Sequence, residues 1–288
     1  STHPHLGWGY RGVLGRLERM FDELRQDNSL PNFARAITLY HMIIEASMAQ
    51  PAQHFIEDFF AKAGSLPGFS AGMEKVSRDE QRHIGFGVKV LSEILPQSEE
   101  CRAAVVERLR EVNKYSLGVF CPPGFDRSYS QCWGFELEDI YSFGLKLVRQ
   151  RWKTIGFPME EMPKDVWPLD HSLTADEIAA QQIKLLLAGV TGAPCSHPDS
   201  SPEVQGLLFD LMARSANTRG AQNGPFTVQW RFTDASPWHM VVNNGSTRAV
   251  AGQSPHPDVT LSTDWGEWVS IAMNDANPLK SIAGRKLK

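Results

Sequence analysis

At residue 226 the hydrophobic period of this chain changes, and that change limits what it can fold into. FTVQWRF (226–232) alternates, with Phe226, Val228, Trp230 and Phe232 on one face and Thr227, Gln229 and Arg231 on the other. Period two marks a half-buried strand. WHMVVN (238–243), STRAVAG (246–252) and DVTLS (258–262) read as further strands, with Asn244-Gly245 as a hairpin turn. DWGEWVSIAM (264–273) returns to helical spacing: Trp265, Trp268, Val269, Ala272 and Met273 share a face, and Asp264 with Glu267 can form a capping box. A short helix opens at Asn277-Pro278, and GRKLK begins a strand.

Upstream, apolar residues recur at helical spacing over 8–27, 32–62, 69–95, 99–118 and 131–155. GSLPG (64–68) is a turn, CPPGF (121–125) breaks the pattern, and Gly156 ends the fifth helix. Residues 158–173 hold three prolines, and T-x-x-E at Thr174–Glu177 opens a helix to Leu187. Another helix covers 203–215. The expected fold class is therefore α+β in two domains: a helical bundle over 1–157, a linker with one helix over 158–202, and a sheet-and-helix domain over 203–288.

A net charge of −4 gives no electrostatic footprint for nucleic acid. No run of eighteen apolar residues is present, so no membrane span is expected. Cys101, Cys121, Cys132 and Cys195 form no C-x-x-C pair and read as free thiols of a cytoplasmic protein.

The helical half carries acids where a core is expected. Met73, Val76, Glu80, His83, Gly87, Val90 and Ile94 step by 3 and 4, a core-facing seam that turns Glu80 and His83 inward. In LYHMIIEASMA (39–49), Glu45 is surrounded by apolar residues. A buried carboxylate persists only when paired or bound to a metal. The turn near 65–66 puts Glu45 and Glu80 on antiparallel arms of comparable length, hence at similar height. A Glu on one helix and Glu-x-x-His on its neighbour is half of a carboxylate-bridged two-metal site. The competing reading is a metal-free buried hydrogen-bond network of Glu, His and Arg.

LPNFARAITLYHMIIEASMA (30–49), LPGFSAGMEKVSRDEQRHIGFG (66–87) and YSFGLKLVRQRWKTIGF (141–157) resemble the second half of the ligand-binding oxidases related to the ribonucleotide reductase small subunit. The resemblance implies a ferritin-like bundle with two metal ions, Mn/Fe or Fe/Fe, and a bound long-chain fatty acid. It implies Glu45, Glu80 and His83 as metal ligands, Asp79 and Arg82 as residues that orient them, and Tyr40 as a tyrosine that cross-links to a valine. The family's remaining ligands and that valine would lie upstream of Ser1, so the chain reads as a fragment with an incomplete bundle and half of the site.

WHMVVNNG (238–245), HPDVTLSTDWGEWVSIAMND (256–275) and NPLKSIAGRKLK (277–288) resemble a sterol-carrier-protein-type domain, which implies a curved sheet, covering helices and an apolar tunnel. Phe226, Val228, Trp230, Trp265 and Trp268 are the candidate lipid-binding residues; packing on one another as core is the competing reading. The expected function is a dinuclear-metal oxidase using O2 on a fatty acid or other lipid, with a lipid-binding module and a possible homodimer. A non-catalytic lipid carrier on a metal-free scaffold and a di-iron N-oxygenase are the alternatives, and a reductase radical subunit ranks below them.

Overall fold

The computed structural model describes residues 6–121, 124–216, 218, 224–243, 245–273 and 275–288. Pro122, Pro123 and Asn244, named above in a break and a turn, lie outside them. The fold is α+β. The chain divides into two compact units, residues 1–166 with 171–183, and residues 167–170 with 184–288.

The first unit is helical: α1 (Trp8–Gln26), α2 (Leu30–Ile37), a π-helical segment (Thr38–Ala49), α3 (Gln50–Ala63), α4 (Pro67–Ile94), α5 (Glu99–Leu117), α6 (Ser128–Gln131) and α7 (Leu137–Ile155). Local chemistry sets the boundaries. Gly64 and Leu66 take left-handed conformations that reverse the chain between α3 and α4, and Pro67 starts α4 where its missing N–H is harmless. Ser98 Oγ caps α5 by accepting from Cys101 N–H at 3.2 Å. The helix expected over 131–155 starts only at Leu137, as α7, because α6 ends at Gln131, Gly134 (φ 77°) turns the chain and Glu136 with Asp139 forms the capping box that opens α7. Gly156 (φ 80°) closes α7 as expected.

Two buried guanidiniums tie α1 to α5. Arg16 reaches Glu23 (2.7 Å) and Glu111 (2.6 Å), and Arg108 reaches Glu23 (3.3 Å). On α7, burial lowers the Arg151 guanidinium to about 10; it donates to the Ala46 carbonyl at 2.8 Å and so anchors the π-helical segment.

The expected seam of α4 needs correction. Ile84, Gly87 and Leu91 are buried, whereas Val76 is 45 % exposed and His83 lies half in the open. The π-helical segment packs on α4 at Gly87 and reaches His83 through Glu45, yet the His83 side chain stays 48 % exposed. Gly87 marks the closest approach: a Cβ there would sit 2.4 Å from His41 Cβ, so no side chain fits.

α8 (Ala175–Leu187) begins with the expected capping box: Glu177 N–H donates to Thr174 Oγ1 (3.2 Å) and Thr174 N–H to Glu177 Oε2 (2.8 Å). The second unit holds α9 (Pro202–Ser215), β1 (Phe226–Phe232), β2 (Trp238–Asn243), β3 (Ser246–Ala251), β4 (Val259–Thr263), α10 (Trp265–Ala272) and α11 (Pro278–Ala283). The sheet order is β3-β2-β1-β4, antiparallel except for the parallel β1–β4 pair. Its core joins Val204, Leu208 and Phe209 of α9 to Trp230, Met240, Trp265, Trp268 and Val269. Each such side chain contributes about 1.5–3 kcal/mol on burial.

The opposite face of β1 is not simply solvated. Gln229 is fully buried; its amide donates to the Trp230 and Trp238 carbonyls (2.8 and 2.9 Å) and accepts from Ser254 N–H (2.7 Å). Only one arm of the expected capping box at α10 forms. Asp264 Oδ1 accepts from Glu267 N–H (2.8 Å), while the Glu267 carboxylate turns to the Ser281 hydroxyl and to Lys286. The strand expected to begin at GRKLK shows as a pair of bonds to β4: Ser262 N–H donates to Lys288 O (2.8 Å) and Lys288 N–H to Ser262 O (2.9 Å). Among the described residues, no helix is long and apolar enough to cross a membrane.

Candidate metal centre

Glu45 projects from the π-helical segment and is buried. Winding by i→i−5 bonds is confirmed at its end, where Gln50 N–H donates to Glu45 O. This winding has a geometric effect. In an α-helix a residue five positions back lies about 140° round the cylinder. The wider turn brings both the fifth and fourth preceding residues, Tyr40 and His41, beside Glu45.

The contacts follow that geometry. His41 Nδ1–H donates to Glu45 Oε2 at 2.6 Å. From α4, His83 Nδ1 stands 3.2 Å from Glu45 Oε1 and 3.9 Å from Glu80 Oε2. Ligand-capable atoms of Glu45, Glu80 and His83 all lie within 4.8 Å of one another. The three residues predicted as ligands are thus brought together, Glu45 buried, Glu80 partly buried and His83 48 % exposed in its side chain.

The electrostatics leave a role for a cation. Burial and the Glu45 charge raise the Glu80 carboxyl above its ordinary range, against the pull of His83. Glu80 Oε2 is a buried atom with no hydrogen-bond partner, a costly state for a carboxylate oxygen. Burial, then Glu45 and Glu80, also raise the Tyr40 phenol. Two carboxylates and an imidazole nitrogen are donors for a divalent transition-metal ion, and the unpartnered oxygen is one that a bound ion would satisfy. The residues present fit a transition-metal ion.

The remaining predicted residues separate. Asp79 Oδ2 is 3.8 Å from His83 Nε2, within reach of orienting that ring through a small shift. Arg82 is 76 % exposed and its ion-pair partner among the described residues is Asp79, at 3.6 Å. Tyr40 stands edge-on to His41, with ring centroids 5.0 Å apart. His41 was missed by the sequence reading. Its signal was its place four residues before Glu45, the spacing at which side chains meet on a helix, whereas the attention given to Tyr40 came from the resemblance alone.

In the second unit, Trp230, Trp265 and Trp268 lie in the core and Val228 packs against it, while Phe226 is 39 % exposed at the start of β1 and outside that cluster. Trp265 Nε1–H donates to Asp199 O (3.0 Å), whereas the buried indole N–H groups of Trp230 and Trp268 have no partner among the described residues.

Comparison with known proteins gives different likenesses for different stretches. The family model for the alkyl sulfatase C-terminal domain matches residues 204–288. A variant of an R2-like ligand-binding oxidase with anaerobically reconstituted Mn/Fe cofactor is 23 % identical, with 51 % of this chain and 52 % of that one covered and a TM-score of 0.44. A second variant, aerobically reconstituted, is 20 % identical over 62 % of this chain and 53 % of that one, with a TM-score of 0.38. A double mutant of the sec-alkyl sulfatase PisA1 is 15 % identical over 76 % of this chain and 26 % of that one, with a TM-score of 0.28. The chain spans about half the length of the oxidase structures it matches.

Proposed function

We propose that this chain is part of a cytoplasmic dinuclear-metal oxidase, holding Mn/Fe or Fe/Fe, that acts on a long-chain fatty acid or similar lipid with O2. The bundle, residues 1–157, carries the centre; residues 158–202 link it to a lipid-binding module of sterol-carrier type over 203–288. The observation that carries the reading is the convergence of Glu45, Glu80 and His83 from two helices to within 4.8 Å. The two ions would supply the redox equivalents and Lewis acidity that O2 chemistry needs.

The protein's own residues have separable tasks. Glu45 and Glu80 offset the charge of the ions, and His83 adds a neutral nitrogen donor. Glu45 Oε2 is already engaged by His41, which leaves Oε1 on the His83 side for a metal. Tyr40, whose phenol burial and then the Glu45 and Glu80 charges hold in its protonated form, is the catalytic tyrosine of this reading. Val228, Trp230, Trp265 and Trp268 would meet an acyl chain only by parting from the core packing described above, with Phe226 at its exposed end.

Elemental analysis tests the assignment. Protein made from the intact gene, incubated anaerobically with Mn(II) and Fe(II) and then desalted, is expected to retain both metals. Glu80→Ala is expected to lose them while still binding a fluorescent fatty acid. Wild-type protein that retains no more metal than Glu80→Ala would overturn the oxidase reading and favour the lipid carrier.

A further inference from the structure

His41 has a contact that the proposed ligand set does not use. Its side chain is 13 % exposed, and Nδ1 lies 2.6 Å from Glu45 Oε2. The ring is held edge-on by Tyr40 and Phe86, at centroid distances of 5.0 and 5.4 Å. Behind it the α4 backbone comes so near that position 87 admits only glycine. Three features therefore converge on one imidazole: the four-residue spacing that sets it beside Glu45, the glycine that makes room and the aromatic edges that fix its plane. A solvent-facing histidine would need none of them.

We infer that His41 is the positioning residue of the centre: by donating to Glu45 Oε2 it fixes the carboxylate rotamer so that Oε1 faces His83 and Glu80. This rests on the metal reading above. The physical ground is that a carboxylate free to rotate must be ordered when an ion binds, whereas one already hydrogen-bonded on its far oxygen is pre-set. Partners of this kind fix the orientation and basicity of the ligand they hold. His41 is not itself counted among the ligands, because its Nδ1 is occupied by the Glu45 oxygen.

The test compares two substitutions in the full chain. His41→Asn keeps an N–H donor near the Nδ1 position, and His41→Leu keeps bulk but not the donor. Mn(II) affinity is measured by competition with a chelator, and thermal unfolding of the metal-free proteins checks folding. His41→Leu is expected to weaken Mn(II) binding about 10–100-fold, the usual cost of losing a group that orients a ligand, with His41→Asn staying close to wild type. Gly87→Ala, which pushes the imidazole off the carboxylate from behind, is expected to weaken binding in the same direction.

Two results would overturn the inference while leaving the centre intact: wild-type affinity in His41→Leu, or equal loss in His41→Leu and His41→Asn. Absence of Mn(II) binding by the wild type would remove the metal reading itself, and this inference with it.

Discussion

Glu45 shows how one side chain can be read correctly and its neighbour overlooked. Its isolation among Met42, Ile43, Ile44 and Ala46 made it legible as a buried acid, and the structure buries it. His41, four residues earlier, was within reach of Glu45 by helical spacing alone and was passed over; it is the closeness of Tyr40 that depends on the winding, which residue types do not announce. Gln229 was misplaced for a related reason: alternation assigned it to the solvated face, yet a loop folds over that face and Ser254 N–H donates to its amide oxygen. Gln229→Leu strands two carbonyls and one N–H, and is expected to destabilise the second unit by about 3 kcal/mol in urea titration. A loss below about 1 kcal/mol would show that water takes over those bonds. The thiols divide by burial. Cys132 is exposed, while Cys101 and Cys121 are buried and burial pushes the Cys121 thiol up to about 11. Iodoacetamide is therefore expected to label Cys132 first in the folded protein, and Cys121 only on unfolding.

Helices and strands with strong caps were the most legible elements. β1 and β2 fall on the residues that alternation gives, and α8 starts at its capping box. The late start of α7, at Leu137 rather than near 131, was missed, since apolar spacing continues through Gly134 while the helix does not. The start of α7 also carries a pH dependence. Arg127 holds Glu138 through two bonds, of 2.9 and 2.7 Å, and keeps that carboxyl below its ordinary value. A lowered folded-state pKa means that the pair stabilises the helix above the unfolded value of about 4.3 and that the contribution fades as pH falls through the folded one. Both side chains are partly exposed, so the effect is modest. Arg127→Gln is expected to flatten the acid limb of the stability curve between about pH 5 and 3, followed by circular dichroism; an unchanged limb would show that solvent already screens the pair.

At the level of the whole molecule, the α+β character and the presence of a helical part and a sheet part followed from a single change of period. The side on which α4 is covered did not, because a helix pattern defines a stripe but not which flank of it a neighbour occupies. With the centre in the first unit and an indole-rich core in the second, metal is expected to act on one of them alone. Saturating Mn(II) should raise the unfolding temperature of one calorimetric transition and leave the other fixed, since a ligand stabilises only what it binds. Displacement of both transitions together would show that the units unfold as one. The short pairing of Lys288 with Ser262 bears on solubility. A sheet border with unsatisfied amides is where separate molecules zip together, and here the chain lays its own residue over that border. Breaking this pairing would bare β4 at Ser262 and give neighbouring molecules a template for stacking.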